Sequence, residues 1–510
     1  MKVLVFGPFA MNTPHFETEL EIIQGHLDRG DEATFLSCNS ELIACDANLR
    51  HDYKQCLECV GKRIVGTALL SPRIQVRSFL NLSRKDKQEL NALKVEFSSI
   101  EELGSYRIEH FDIGLAVLSS IISLARDPNP DLEHCSEVVK NLLISSFAIY
   151  RSIQNHIDQL GVDKAYVFNG RLANVRAAVR AYQSRNIPYC THERVYNIHH
   201  YGNYENAVPH DLTYVEQQIR KLWAEACANS HREEIGAQFF LEQRGQVIHQ
   251  GRNPFINNQK VGRLPENWDP SKMNVAIFNS SEDERAAVGD AWNPPFYKSQ
   301  LTGLQMIMRS LSARRHNLHL YLRVHPNLRT VENAWLRSLL SLKSDCFTVI
   351  PPEASVSSYA MLDQADKVLT FGSTAGIEAV YWGKPSILAG QSFYRNLGGT
   401  YNPQSHEELM ELLFADLPAK KIEPALMYGY FKKTFGVPFR LFKASDVYLG
   451  EYKNIKVQPP PWAFKLLRTV ELHWRFKQLA NATLRYRAQR KIGAKAVQRS
   501  FLDNIHLGLK

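Results

Sequence analysis

The residues with the clearest chemical potential in this 510-residue chain lie at Gly372-Ser373-Thr374, between the apolar run Lys367 to Phe371 and the sequence Ala375-Gly376-Ile377-Glu378-Ala379. A strand that turns through Gly-Ser-Thr into a helix leaves backbone N–H groups without intrahelical acceptors at a strand end, which is chemistry for holding an anion. Gly372 permits the tight turn, Ser373 and Thr374 can cap the helix and offer hydroxyls to a phosphate, and Gly376 lets the first helical turn approach a ligand. Glu378, one turn in, either binds the vicinal hydroxyls of a ribose or closes a capping box on Ser373 or Thr374. Both readings stand on the residues alone.

A second constellation lies upstream in His319-Leu320-Tyr321-Leu322-Arg323-Val324-His325-Pro326-Asn327. The alternation reads as a strand, and Pro326 stops it with His325 at the C-terminal edge, where open α/β sheets bind ligands. Strand spacing puts Arg323 and His325 on one side, a fixed cation and a titratable donor for a diphosphate or phosphodiester. The alternative is a His325 that hydrogen-bonds the following loop.

Four of the eight cysteines fall close together, at Cys38, Cys45, Cys56 and Cys59. The Cys56-Leu57-Glu58-Cys59 pair with two neighbouring thiols is expected either to form a structural metal site, zinc or iron–sulfur, or to remain reduced; the gaps are looser than in a zinc knuckle.

These residues need scaffolding. The chain length predicts two to three domains, and 44% hydrophobic with 22% charged residues is ordinary globular composition. Met1-Lys2 leads straight into Val3-Leu4-Val5-Phe6, so no signal peptide is read, and the apolar-leaning run Gly114 to Ala125 is too short to span a membrane; a cytoplasmic protein is expected. The net charge of +9 is concentrated after Pro461, where eleven Lys or Arg stand against Glu471 and Asp503. With Trp462, Phe464, Trp474, Phe476 and Tyr486 interspersed, this stretch reads either as basic helices on the inner, anionic membrane surface, at about 1 kcal/mol per cation, or as a solvated helix packed on the core. No recognition motif argues for nucleic acid.

Helical and strand periodicities place a strand at Val3–Phe6, a helix from Phe16 to Leu27, a strand at Ala33–Leu36, mostly helix from Ser83 to Ile157, then Lys164–Phe168, a helix from Ala173, and a strand at Pro188–Thr191. The Pro- and Asn-rich passage Gly251 to Met273 reads as a linker, after which βα units restart at Asn274. The expected fold class is α/β with two Rossmann-like domains facing a cleft, and a basic helical extension. The expected domains are 1–265, 266–427 and 428–510.

Arg323-Val324-His325-Pro326, the Gly372–Ala379 turn, Trp382-Gly383-Lys384-Pro385 and Gly390-Gln391-Ser392-Phe393-Tyr394 together resemble the bacterial capsule polysaccharide biosynthesis proteins, within the GT-B glycosyltransferases. Asn169-Gly170-Arg171 and His192-Glu193-Arg194 resemble the N-terminal half of that family. The resemblance implies a nucleotide-sugar donor, CMP or UDP favoured, bound by the C-terminal half, and a polysaccharide or lipid-linked glycan acceptor bound by the N-terminal half. It implies that Arg323, His325, Gly372, Ser373, Thr374, Gly376 and Glu378 hold the nucleotide, with Asn169 and Arg171 as further binding groups. Gly372-Ser373-Thr374 departs from the family's stricter Ser-Ser form and leaves the donor open. No metal is needed in this scheme if His325, Arg323 and the helix N-terminus neutralise the leaving phosphate.

Transfer to a hydroxyl also needs a base or nucleophile. Candidates beside strand ends are His15, Glu17, Glu193, Glu282 and Asp283, with Glu193 next to Arg194 preferred and His325 acting on the phosphate. The rival readings are a nucleotide-sugar epimerase, a glycerophosphate transferase of the same fold, and a non-catalytic nucleotide or polysaccharide sensor.

Overall fold

The computed structural model describes residues 1–226, 231–245, 259–313 and 317–458. The basic stretch after Pro461 lies outside the described residues. Among those described, no helix is long and apolar enough to cross a membrane.

The chain forms two compact units. The first comprises 1–121, 130–209 and, of the described residues that follow, 436–458. Its strands are β1 (Lys2–Gly7), β2 (Glu32–Ser37), β3 (Gln75–Ser78), β4 (Lys164–Phe168), β5 (Tyr189–Arg194) and β6 (His200–Glu205). They are ordered β6-β5-β4-β1-β2-β3, parallel except for the antiparallel β5–β6 pair. Chain order reverses between β1 and β4, so their C-terminal ends frame a topological switch point, the place where such sheets bind ligands. Val3, Val5, Phe16, Leu20, Ile23 and Phe35 fill the core between sheet and helix His15–Asp28.

The second unit comprises 122–129 and 210–435. Its wholly parallel sheet contains β7 (Met273–Phe278), β8 (Leu318–Arg323), β9 (Phe347–Ile350), β10 (Lys367–Thr370) and β11 (Ser386–Leu388) in the order β11-β10-β7-β8-β9. Here the switch point lies between β7 and β10. Both faces of this sheet are apolar and covered, as parallel sheets require: Val275, Ile277, Leu320, Leu322 and Leu369 on one side, Ala276, Tyr321, Met361 and Val368 on the other. The α/β class with two Rossmann-like units is therefore the one the sequence indicated.

The unit boundaries fall at 209/210 and 435/436 rather than at 265 and 427. Helices Leu212–Glu225 and Arg232–Arg244 pack on helix Glu423–Thr434, and Gly236 and Gly429 meet there so closely that a Cβ on either would strike the opposite backbone. Residues 210–245 thus belong with the second sheet.

After 435 the chain returns to the first unit through β12 (Val437–Pro438), which pairs antiparallel with β6, and a hairpin of β13 (Phe442–Ala444) and β14 (Gly450–Tyr452). Glu21, buried in the first helix, accepts the backbone N–H groups of Arg440 at 3.0 Å, Leu441 at 2.9 Å and Phe442 at 3.2 Å. Tyr452 Oη donates to Leu20 O at 3.2 Å.

Candidate functional site

In the second unit, the ends of β7, β8 and β10 bring together Asn279, His325 and the Gly372 turn. Asn279 Oδ1 accepts the His325 backbone N–H at 2.8 Å. The His325 Nδ1 accepts the Asn327 N–H at 3.1 Å, so the neutral ring carries its proton on Nε2. Burial, aided by the positive charges of Arg323, Arg126 and Arg285, pushes the His325 pKa down to about 4. The bond to the following loop is present, made through Nδ1, which leaves the Nε2 proton directed elsewhere.

Arg323 does not face a ligand. It is 2% exposed, and its guanidinium donates to the carbonyls of Val324 at 3.2 Å, Pro351 at 2.6 Å and Ala354 at 3.1 Å. It staples the end of β8 to the loop after β9. A further cation near His325 is Arg126, which sequence reasoning missed. Arg126 donates through Nη1 to Asn327 O at 3.0 Å, its Nε lies 3.7 Å from Asp283 Oδ2, and its buried Nη2 has no hydrogen-bond partner. Asp283 is 4% exposed beside this arginine, a position that suits an ion-pair partner rather than an accessible base. Glu282 is likewise tied down, accepting the Gln300 N–H at 3.1 Å.

A second missed arginine shapes the turn. Arg285 reaches from the loop after β7 across the switch point to the carbonyls of Phe371 (3.2 Å), Gln391 (3.1 Å) and Gly372, and its guanidinium lies 5.4 Å from the Trp292 ring centre. Gly372 adopts φ 127°, and a Cβ there would collide with this guanidinium. Gly376 is required for a different reason from the one expected. A Cβ at that position would strike Tyr394 Oη and Thr370 Oγ1, so the glycine serves packing rather than ligand approach. Tyr394 Oη donates to Ser373 O, and Ser373 Oγ accepts the Ala375 N–H at 3.3 Å, while Thr374 makes no side-chain cap and is exposed. Glu378 is not part of a capping box. Its Oε2 accepts from Tyr359 Oη at 2.6 Å, and burial raises its pKa despite that bond and one to Thr374.

In the first unit, the switch point collects His15, Asn169, His192 and Glu193. His15, the first residue of its helix, is 7% exposed, packs at 4.1 Å from the Phe168 ring centre and places Nε2 3.7 Å from Glu193 Oε1. Burial, with Arg194, His192 and Lys62 adding to it, keeps His15 neutral well below its usual range. Glu193 accepts from Asn169 Nδ2 at 2.7 Å and from the Arg194 N–H at 2.8 Å, yet burial still raises its pKa. Asn169 holds this position from a left-handed conformation, φ 56°, that asparagine tolerates. Beneath them, Lys62 Nζ donates to Thr13 Oγ1 at 2.7 Å and pairs with Glu17 Oε1 at 2.8 Å. Glu17 is therefore committed to an ion pair. Arg171 is 7% exposed and donates through Nε to Ser119 Oγ at 2.9 Å, so it supports the helix Ile113–Ala125 rather than clamping an acidic sugar.

Cys38, Cys45, Cys56 and Cys59 come near one another but not as a metal site: among the described residues no group of three or more His, Cys, Asp or Glu is arranged to hold a metal ion. Burial raises the thiols of Cys38 and Cys45 and pushes Cys59 up to about 11, which keeps them protonated. Cys59 Sγ instead accepts the Ala10 N–H at 3.1 Å and Cys56 Sγ accepts from Asn48 Nδ2 at 3.3 Å.

Residues 293–435, which include His325 and the Gly372 turn, match the family described as capsule polysaccharide biosynthesis protein. No curated protein matches the chain. Among solved structures, the chain is similar to the KpsC beta-Kdo 2,4 transferase of Thermosulfurimonas dismutans, with 13% identity, TM-score 0.37, and 53% of this chain and 79% of that one covered. It is also similar to the KpsC beta-Kdo 2,7 transferase of the same organism, with 16% identity, TM-score 0.34, and coverage of 62% and 89%. A third is the UDP-GlcNAc 2-epimerase of Neisseria meningitidis bound to UDP-GlcNAc, with 14% identity, TM-score 0.23, and coverage of 86% and 96%.

Proposed function

We propose that the chain, of which residues 293–435 match the family described as capsule polysaccharide biosynthesis protein, is a glycosyltransferase. It moves a sugar from a nucleotide-activated donor to a surface polysaccharide or its lipid-linked precursor. The observation that carries this reading is a neutral His325, protonated on Nε2, with the unpartnered Nη2 of Arg126 near it at the C-terminal ends of β7 and β8. Two such donors suit a phosphate oxygen on which charge grows as the sugar leaves.

On the acceptor side, Glu193 takes the proton of the attacking hydroxyl. Its raised pKa makes it a stronger base than a solvated carboxylate, and neutral His15 stands next to it to share the proton. Glu378 and Tyr359 form the rim of the donor pocket, where a ribose hydroxyl can replace their mutual hydrogen bond.

The test is a thermal-shift screen of the full chain against CMP, CDP, UDP and GDP, followed by transfer assays with sugars on the nucleotide selected. A selective rise, near 2.7 kcal/mol in stability at a ligand concentration of about 100 Kd, that disappears in Arg126→Gln supports the reading. Absence of binding by all four nucleotides would sink it. Turnover of the nucleotide sugar without an acceptor would instead make the chain an epimerase.

A further inference from the structure

The hairpin of β13 and β14 carries two apolar side chains that the fold leaves in solvent: Tyr448 is 62% exposed and Leu449 61%. They do not dangle. Asp446 Oδ1 accepts the N–H groups of both, at 2.6 and 2.7 Å, and Ser445 N–H closes the turn on Leu449 O at 2.9 Å. A tip that is rigid and apolar at once presents an ordered surface to a ligand at little entropic cost.

The surroundings identify which kind of ligand. Arg194, the last residue of β5, places its guanidinium 4.9 Å from the Tyr448 ring centre and its Nη1 3.4 Å from Val447 O. The same arginine is exposed, follows Glu193 in the chain, donates its backbone N–H to the Glu193 carboxylate, and lies near enough to His15 to depress its proton affinity. An aromatic face, a guanidinium and a partly buried carboxylate thus stand in one neighbourhood of the first unit.

We propose that Tyr448 and Arg194 form an acceptor subsite for an acidic pyranose, with the ring of the sugar against Tyr448 and its carboxylate on Arg194. The inference rests on the glycosyltransferase reading, because it takes Glu193 as the group that meets the acceptor hydroxyl. A tyrosine face matches the C–H surface of a sugar ring, and a planar guanidinium matches a carboxylate in two N–H···O bonds. A lipid surface would also accept Tyr448 and Leu449, but it does not call for the alignment with Glu193.

Saturation-transfer NMR on the full chain, with glucuronate, N-acetylneuraminate and glucose as probes, separates the outcomes. The expected result is saturation of the two acidic sugars in the wild type, at least tenfold weaker in Tyr448→Ala and in Arg194→Gln, restored in Tyr448→Phe, with the nucleotide thermal shift unchanged in every variant. Equal binding by wild type and Tyr448→Ala overturns the subsite, as does binding of none of the three sugars. Sedimentation with phosphatidylglycerol vesicles that depends on Tyr448 and Leu449, without sugar binding, overturns it in favour of a membrane contact. Sugar binding that requires Tyr448 in a chain that transfers nothing would keep the subsite and remove the transferase.

Discussion

His15 Nε2 stands 3.7 Å from Glu193 Oε1, the imidazole buried and the carboxylate partly so, and both are displaced from their usual proton affinities, His15 downward and Glu193 upward. Each shift disfavours charge, so folding holds this pair at a cost that function must justify. Glu193→Gln is expected to lower transfer by about 10²–10⁴-fold. Because a carboxyl raised in the folded state is most favourable when protonated, its ionisation subtracts stability as pH rises past the unfolded value of about 4.5 and through the folded one. Glu193→Gln should therefore melt above wild type at pH 7.5, with the difference closing below pH 4.5, measured by calorimetry across that range.

The His325 ring gives the opposite pH signature. Its pKa of about 4 lies below the ordinary 6.5, so the stability it contributes is complete above pH 6.5 and is lost as pH falls toward 4. His325→Asn keeps a side-chain acceptor for the Asn327 N–H but has no ring to protonate. Its melting temperature should fall less steeply than that of wild type between pH 6.5 and 4, while nucleotide-dependent transfer drops at least tenfold.

Two arginines should separate by phenotype. Arg323→Met removes bonds to the carbonyls of Pro351 and Ala354 and should destabilise the chain by on the order of 3 kcal/mol. Arg126→Gln should leave the unfolding midpoint within about 1 kcal/mol and weaken nucleotide binding instead. Denaturant unfolding and nucleotide titration on the same preparations decide between them. An Arg323→Met chain of unchanged stability with lost nucleotide affinity would restore Arg323 as the ligand cation.

Gly372→Ala combines two penalties, a side chain at φ 127° and a collision with Arg285. The expected loss is about 2–4 kcal/mol. In an Arg285→Ala background the collision is gone and only the backbone term remains. The double mutant should therefore be more stable than the sum of the single losses predicts, a coupling that a double-mutant cycle by chemical denaturation measures directly.

The two sheets were legible because runs such as Val3–Phe6, Asn274–Phe278 and Lys367–Phe371 are punctuated by Gly, Pro or polar turns, and the switch-point loops follow from that order. What could not be read is what depends on distant contacts. Arg126 is positioned by Asn327 and Asn333, about two hundred residues away, and nothing in Ala125-Arg126-Asp127 announces it. Strand alternation gave Arg323 its face but not the Pro351 and Ala354 carbonyls that its Nη1 and Nη2 groups bond. The hairpin from Phe442 to Tyr452 has strands of three residues, too short for a period, and its place is set by Glu21.

That Glu21 clasp has a consequence for the order in which the chain is made. The second unit's main body, 210–435, is one uninterrupted stretch and can close as soon as it is synthesised. The first unit holds an acid in its opening helix whose three N–H partners emerge more than four hundred residues later. Until Arg440, Leu441 and Phe442 have all been added, Glu21 lacks its full set of backbone donors, so the unit that begins first in translation is the last to be finished.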